Sequence, residues 1–108
     1  MSLDLPIVLA NYFKAKNAHD VDAMLSAFSD EASVHDEGQD MIGRVAIRKW
    51  MDETTRKYRV TVTPTGVGQA DERTIVTARV SGTFPGSPVE LRYYFTIVSE
   101  KISSLEIN

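Results

Sequence analysis

Apolar residues in the first half of the chain recur mostly at intervals of three and four, which is the spacing of amphipathic helices. This pattern predicts a helix over residues 5–17, with Asp4 as its N-cap and Pro6 in its first turn. A shorter stripe follows Asp20, which we expect to cap a second helix, and another stripe predicts a third helix over residues 44–55. The front half is therefore predicted to supply three helices.

Between the second and third helices, and throughout the second half, the apolar period changes to two, as in strands. It predicts strands over residues 31–36, 41–42, 58–68, 73–84, 89–98 and 102–107. The short connections favour antiparallel hairpins, and Pro64 and Gly66 predict a bulge or bend that curls the sheet. A strongly curved sheet that faces helices is an α+β architecture, and its concave side tends to leave a pocket.

Composition and charge exclude several classes of function. The 108 residues suffice for one domain, and twelve basic against fifteen acidic residues give a formal net charge of -3. Nucleic acid is therefore not an expected partner. No apolar run approaches the roughly 20 residues that cross a bilayer, and the first residues lack the basic start of a signal peptide. We expect a cytoplasmic protein with no membrane partner.

Metal and thiol chemistry are not expected either. The chain has no cysteine, and its two histidines, His19 and His35, are too isolated for a convincing zinc site. His19 falls in a loop between helices, where we expect it to be solvated. The sequence therefore predicts neither a metal nor a cofactor.

Arg79 and Arg92 are expected to face outward from the sheet, because they alternate with apolar neighbours.

Asp36 continues the apolar face of its predicted strand. Alternation places it on the same side as Ala32 and Val34, while His35 points to the opposite side. A carboxylate on the pocket side would be desolvated, which raises its pKa and suits it to act as a base. The alternative interpretation is a turn-forming aspartate that ends the strand before Gly38.

Four stretches carry a resemblance to a known family: residues 20–23, 28–36, 42–47 and 101–102. With the order helix, helix, short hairpin, helix and four strands, they resemble the NTF2-like superfamily, specifically its SnoaL-like and ketosteroid isomerase-like branch. The resemblance covers essentially the whole chain. It implies one domain over residues 1–108, a cone-shaped curved antiparallel β-sheet packed against three N-terminal helices, and a deep pocket. It also implies a homodimer formed through the outer face of the sheet.

The resemblance to ketosteroid isomerases extends to two functional positions. It implies that Asp36 is the general base and that Tyr12 is the oxyanion-hole tyrosine. Removing a proton next to a carbonyl needs both a base at the carbon and donors at the oxygen where charge accumulates. The second donor of those enzymes is an aspartic acid, but residues 92–99 contain no carboxylate. Depending on the register, its place is taken by Tyr93, Tyr94 or Phe95.

Two hypotheses follow for function, with a third that is weaker. The first is an isomerase, or a related lyase or cyclase, that acts on a small hydrophobic carbonyl compound of a steroid-like or polyketide-like type. The residues expected to bind the substrate are Phe28, Val34, Trp50, Met51, Tyr93 and Phe95. The alternative is a non-catalytic small-molecule-binding or accessory protein, because Phe28 and Met51 replace tyrosines that support Tyr12 in many members. The third is an interaction module whose cavity is filled by Trp50, Met51 and the aromatic residues.

Overall fold

The structure, a computed structural model, describes residues 4–108. Its elements are, in chain order, α1 (Ile7–Asn17), α2 (Val21–Ser26), β1 (Phe28–Asp36), β2 (Gln39–Ile42), α3 (Arg44–Tyr58), β3 (Thr61–Ala70), β4 (Arg73–Ser81), β5 (Val89–Val98) and β6 (Lys101–Ile107). Each predicted helix and strand has a counterpart, and the differences lie at the ends of the elements. The predicted α+β class with three helices on a curved sheet is confirmed.

The start of α1 differs from the prediction. Pro6, not Asp4, is the N-cap, and no side chain caps this helix. The carbonyl of Pro6 accepts the first hydrogen bonds, from the amides of Leu9 and Ala10, so proline stands just before the first turn rather than within it. The second helix is capped as predicted, because Oδ1 of Asp20 accepts a hydrogen bond of 3.1 Å from the amide of Ala23.

The six strands form one sheet in the order β2-β1-β6-β5-β4-β3. Its neighbours are antiparallel except β1 and β6, which are parallel, so the expectation of a purely antiparallel sheet was wrong in this detail. Three successive hairpins fix the direction of β6 relative to β3. The direction of β1 is set separately, by its hairpin with β2 and by the connection through α3 to β3. Local periodicity does not show how the β1–β2 hairpin pairs with strands β3 to β6.

Register shifts interrupt three of the strand pairs, and one of them lies between Pro64 and Gly66 in β3, where the bulge was predicted. Bulges increase the local twist, so they curl the sheet around the helices. The core on the concave side holds large side chains from both layers, including Leu9, Phe28, Ile47, Met51 and Phe95. Within residues 4–108, no helix is long and apolar enough to cross a membrane.

Candidate functional site

A cavity of about 430 Å³ lies between the helices and the concave face of the sheet. Its walls are built mostly from aliphatic and aromatic side chains, among them Val80, Phe84, Val89, Leu91 and Ile107. Its polar lining includes Lys16 from α1, Asp36 and Glu37 at the end of β1, Trp50 from α3, and Tyr93 from β5. An apolar chamber with a few polar groups is the usual form of a small-molecule site.

Asp36 lies at the last position of β1 and is half-buried. Its Oδ2 accepts a hydrogen bond of 3.0 Å from the indole Nε1 of Trp50. Burial raises the pKa of Asp36 above its ordinary value, and the Trp50 hydrogen bond partly offsets this because it stabilises the carboxylate. The prediction that Asp36 continues the inner face of its strand agrees with this placement, because its side chain lines the cavity.

The packing of α3 against β1 brings Trp50 to Asp36. Gly43 adopts a φ of 88°, a conformation that favours glycine, and its amide donates a hydrogen bond of 2.8 Å to the carbonyl of Ala32 in β1. This bond fixes the start of α3 beside the strand. Trp50 is only 9% exposed, and a buried indole N–H needs a hydrogen-bond acceptor, which the carboxylate of Asp36 provides.

Lys16 is a buried cation that the predicted site did not include. Its side chain lines the cavity, yet the residue is only 9% exposed. Its Nζ lies 5.8 Å from the centroid of the Trp50 ring and 6.0 Å from that of Tyr12. Within residues 4–108 it makes no hydrogen bond or salt bridge to another side chain. Burial lowers the pKa of Lys16 to about 8, against a smaller opposing effect of the Asp36 charge.

The end of α1 that carries Lys16 is held to the sheet. The side chain of Asn17 donates to the carbonyl of Val62 at 2.8 Å and accepts from the amide of Val62 at 2.7 Å. This pair of bonds connects the last turn of the helix to β3. Lys16 also continues the buried stripe of Leu9 and Tyr12 at helical spacing, and this was the sequence signal that could have revealed it.

Tyr12 is placed differently from the expected oxyanion donor. Its ring is fully buried and packs edge-on against three phenylalanines, Phe13, Phe28 and Phe95, with centroid distances of 5.3 to 5.8 Å. Its hydroxyl makes no hydrogen bond within residues 4–108, and Tyr12 is not among the cavity-lining residues. Burial raises the pKa of Tyr12 well above its ordinary value. Its role as a donor stays a prediction.

The six residues predicted to bind the substrate divide into two groups. Trp50 and Tyr93 line the cavity. The remaining four, Phe28, Val34, Met51 and Phe95, are buried in the core and do not line it. The sequence left open which of Tyr93, Tyr94 and Phe95 faces the cavity. In the structure Tyr93 lines it, whereas the ring centroid of Tyr94 lies 4.8 Å from the guanidinium carbon of Arg73. Burial also raises the pKa of Tyr93.

The two histidines occupy different environments. His19 was expected to be solvated, but it is half-buried and lines the cavity, and its Nε2 lies 3.0 Å from the carbonyl oxygen of Val60. A φ of 56° at His19 turns the chain between α1 and α2 back over the sheet, which spacing alone does not reveal. His35 is exposed, pairs with Asp40 at 2.7 Å and lies outside the cavity lining.

Residues 4–108 contain no group of three or more histidine, cysteine, aspartate or glutamate side chains placed to hold a metal ion. The side chains that line the cavity include a carboxylate with a raised pKa, an ammonium with a lowered pKa, an indole N–H and a phenol. Such paired and oppositely perturbed groups are typical of sites that transfer protons.

Comparison with known proteins agrees with the fold and with the resemblance. The profile of the SnoaL-like domain matches residues 9–103. A presumed polyketide cyclase from Sinorhizobium meliloti is 39% identical, with a TM-score of 0.94 over 100% of this chain and 99% of that chain. No curated protein sequence matches significantly.

More distant solved structures share the fold. A protein of Catenulispora acidiphila with a ketosteroid isomerase-like fold, solved with trimethylamine, is 22% identical, with a TM-score of 0.83 over 95% of this chain and 85% of that chain. The epoxide hydrolase/cyclase-like enzyme SalBIII of salinomycin pyran-ring formation is 24% identical, with a TM-score of 0.80 over 94% and 86% of the two chains. The extent of the profile match and the full-length relative show that the chain belongs to the SnoaL-like family of the NTF2-like fold.

Proposed function

We propose that this protein is a proton-transfer enzyme that acts on a small, largely apolar carbonyl compound, with Asp36 as the general base. The observation that carries the proposal is the environment of Asp36. It is a half-buried carboxylate that lines an apolar cavity and is oriented by a hydrogen bond of 3.0 Å from Trp50. A base must be fixed within reach of the carbon acid and have a pKa closer to neutrality than that of a free carboxyl.

The proposed step is proton abstraction next to a carbonyl. The C–H bond breaks, its proton goes to the carboxylate of Asp36, and the electron pair forms a C=C bond while the carbonyl π electrons move to the oxygen. Where a C=C bond adjoins the α-carbon, the enolate is conjugated and takes the proton back at the far carbon, which is an isomerisation; otherwise it attacks a second carbonyl of the same molecule and forms a C–C bond, which is a cyclisation. In the isomerisation Asp36 returns the proton to carbon, and in the cyclisation it gives the proton to the alkoxide oxygen formed by the attack, so its carboxylate is regenerated in both cases.

The size and lining of the cavity support the substrate class. Its volume of about 430 Å³ is in the range of small-molecule pockets, which is roughly 300–1,000 Å³. Aliphatic walls such as Val89 and Leu91 favour a carbon skeleton of the polyketide or steroid type. The presumed cyclase activity of the Sinorhizobium relative favours cyclisation over isomerisation.

A non-catalytic binding protein is the second candidate. It is favoured by the position of Tyr12, because the hydroxyl expected to stabilise an enolate does not line the cavity. In that case the cavity would hold an apolar molecule and Asp36 would bind a polar group of it. A homodimer formed through the outer face of the sheet is compatible with either candidate.

Exchange of α-protons for deuterium tests the two candidates. Wild-type protein in D₂O is incubated with a linear 1,3-diketone and with a 3-oxo steroid, and deuterium incorporation is followed by NMR. We expect Asp36→Asn to lower the catalysed rate by roughly a hundredfold or more. The matched control is Asp30→Asn, an exposed aspartate on the same strand, which should leave the rate unchanged.

An equal rate in wild type and D36N would contradict the assignment of Asp36. If wild type catalyses no exchange but apolar ligands raise its melting temperature, the binding protein is the better description.

A further inference from the structure

The ammonium of Lys16 belongs to a buried side chain and has no hydrogen-bond or salt-bridge partner within residues 4–108. Lys16 lines the cavity, its Nζ lies 6.0 Å from the ring centroid of Tyr12 and 5.8 Å from that of Trp50, and no carboxylate of residues 4–108 lies within salt-bridge distance of it. A buried cation that is neither paired nor hydrogen-bonded is costly to fold around. A group placed in this way at a small-molecule cavity can stabilise negative charge that develops on a bound molecule.

Lys16 and Asp36 are connected through one side chain. Trp50 donates its indole N–H to Asp36, and the face of the same indole lies 5.8 Å from Nζ of Lys16. Three other titratable groups of the lining have partners of their own: Glu37 accepts from the Tyr58 hydroxyl at 2.9 Å, and His19 contacts a backbone carbonyl. Of the three charged groups that line the cavity, Lys16 is buried and Asp36 is half-buried, whereas Glu37 is exposed, so Lys16 and Asp36 are the opposite charges withdrawn from solvent.

This pairing of charges matches the proposed step. Before proton transfer, the negative charge is on Asp36; after transfer, Asp36 is neutral and the charge is on the substrate oxygen. The total charge of the cavity stays constant, so one fixed cation can serve both states. A substrate that already carried a carboxylate would instead place two negative charges beside one positive charge in a desolvated space.

We propose that Lys16 is the catalytic group that stabilises the enolate oxygen, and that the substrate class is consequently a neutral ketone or diketone rather than a carboxylic acid. This rests on the proposed function. The Lys16 ammonium donates a hydrogen bond to the oxygen as the C–H electron pair moves into the C=C bond and the proton reaches Asp36. Tyr93, which also lines the cavity, is placed to offer a neutral donor beside it. Tyr12 then serves as packing under the ammonium.

Binding of a phenolate tests the charge transfer without any turnover. The probe is 4-nitrophenol, whose ionised form mimics an enolate and has its own visible absorbance. Asp36→Asn imitates the protonated base, so we expect D36N to bind the phenolate at least tenfold more tightly than wild type does. Lys16→Met in the D36N background should remove that preference, while neutral 4-nitrophenol still binds. Lys16→Arg should restore much of it.

The matched control is Lys14→Met, which removes an exposed lysine from the same helix. Lys16→Gln serves as a second neutral variant, and circular dichroism verifies that each variant is folded. The proposal is overturned if K16M and K16Q bind the phenolate as D36N alone does. It is also overturned if wild type binds 4-nitrobenzoate at least as tightly as the phenolate in a Lys16-dependent manner, because the ligand would then be a resident carboxylate.

Proton exchange supplies the second test. We expect K16M to lower the rate of α-proton exchange by about a hundredfold or more, as removal of an oxyanion donor does. Tyr12→Phe is measured beside it, and a loss in Y12F without a loss in K16M overturns the assignment. If D36N abolishes exchange but K16M changes neither exchange nor phenolate binding, this inference fails and the proposed function stands. If D36N leaves exchange intact, the proposed function itself fails.

Discussion

The indole of Trp50 in α3 donates a hydrogen bond of 3.0 Å to Oδ2 of Asp36 in β1, and the N-cap of the same helix, Gly43, is hydrogen-bonded to the same strand. This bond opposes the effect of burial on the carboxylate, so it holds the pKa of Asp36 below the value that burial alone would produce. The pKa of the proposed base therefore depends on two elements, on β1, which carries Asp36, and on α3, which supplies the hydrogen-bond donor.

Replacing Trp50 with Phe removes the donor while keeping an aromatic ring. We expect the pKa of Asp36 to rise further, because the carboxylate loses a partner, and the exchange rate at neutral pH to fall by roughly tenfold to a hundredfold as the carboxylate loses its fixed orientation. The pH dependence of the exchange rate measures both effects. An acidic limb at the same pH in W50F and wild type would show that the hydrogen bond does not control Asp36.

The buried Lys16 should cost stability at neutral pH. We expect Lys16→Met to raise the free energy of unfolding at pH 7 by about 1–3 kcal/mol, because it removes an uncompensated charge. The pKa of Lys16 is about 8 in the folded protein and 10.5 in the unfolded chain, so the unfolded state binds more protons between these values. The cost is full below pH about 8 and is relieved as the pH rises toward 10.5.

Urea unfolding of K16M and wild type at pH 7 and at pH 9.5 tests this, with Lys14→Met as the exposed control. The difference between K16M and wild type should shrink at the higher pH. A difference that is the same at both pH values would contradict the lowered pKa.

The rate of exchange should follow a bell-shaped pH profile. The acidic limb reports the ionisation of Asp36 and should lie above the ordinary value of 3.8, because burial raises its pKa. The alkaline limb reports loss of the Lys16 charge and should lie near pH 8. The other titratable groups that line the cavity are His19, Asp36, Glu37, Tyr58 and Tyr93; burial raises the pKa of Tyr93, so its phenol stays neutral around that pH. Lys16→Arg should move the alkaline limb upward, since arginine stays charged. A limb at the same pH in K16R would assign it to another group.

Tyr12 offers a stability test that is independent of activity. Its hydroxyl is buried without a hydrogen-bond partner in the described chain, and an unpaired buried polar group costs about 1–3 kcal/mol. Replacing Tyr12 with Phe should therefore leave stability unchanged or raise it, with an increase of about 4–8 °C in melting temperature per kcal/mol gained. Thermal denaturation measures this. A clear fall in melting temperature would show that the hydroxyl has a partner in solution.

The sequence predicted the elements and the inner position of Asp36 because both follow from local periodicity. Lys16 was not found because a lysine counts as polar in such a pattern, although it continues the stripe of Tyr12 by one helical turn. Tyr12 was expected at the cavity because of the resemblance to ketosteroid isomerases. Its apolar stripe reports only which face of the helix is buried, not which part of that face borders open space. The depth of each residue depends on how the sheet curls, and this is set by contacts between distant segments.

The parallel pairing of β1 with β6 bears on how the protein assembles as it is synthesised. The strand that carries Asp36 has β2 on one side, but its other neighbour is the last strand of the chain, ending at Ile107. Because this contact joins segments that lie far apart in the sequence, it slows folding. The base can therefore reach its final surroundings only after β6 has left the ribosome, and a nascent chain that does not yet include β6 would have β2 and α3 beside Asp36 but would lack the strand on its other side.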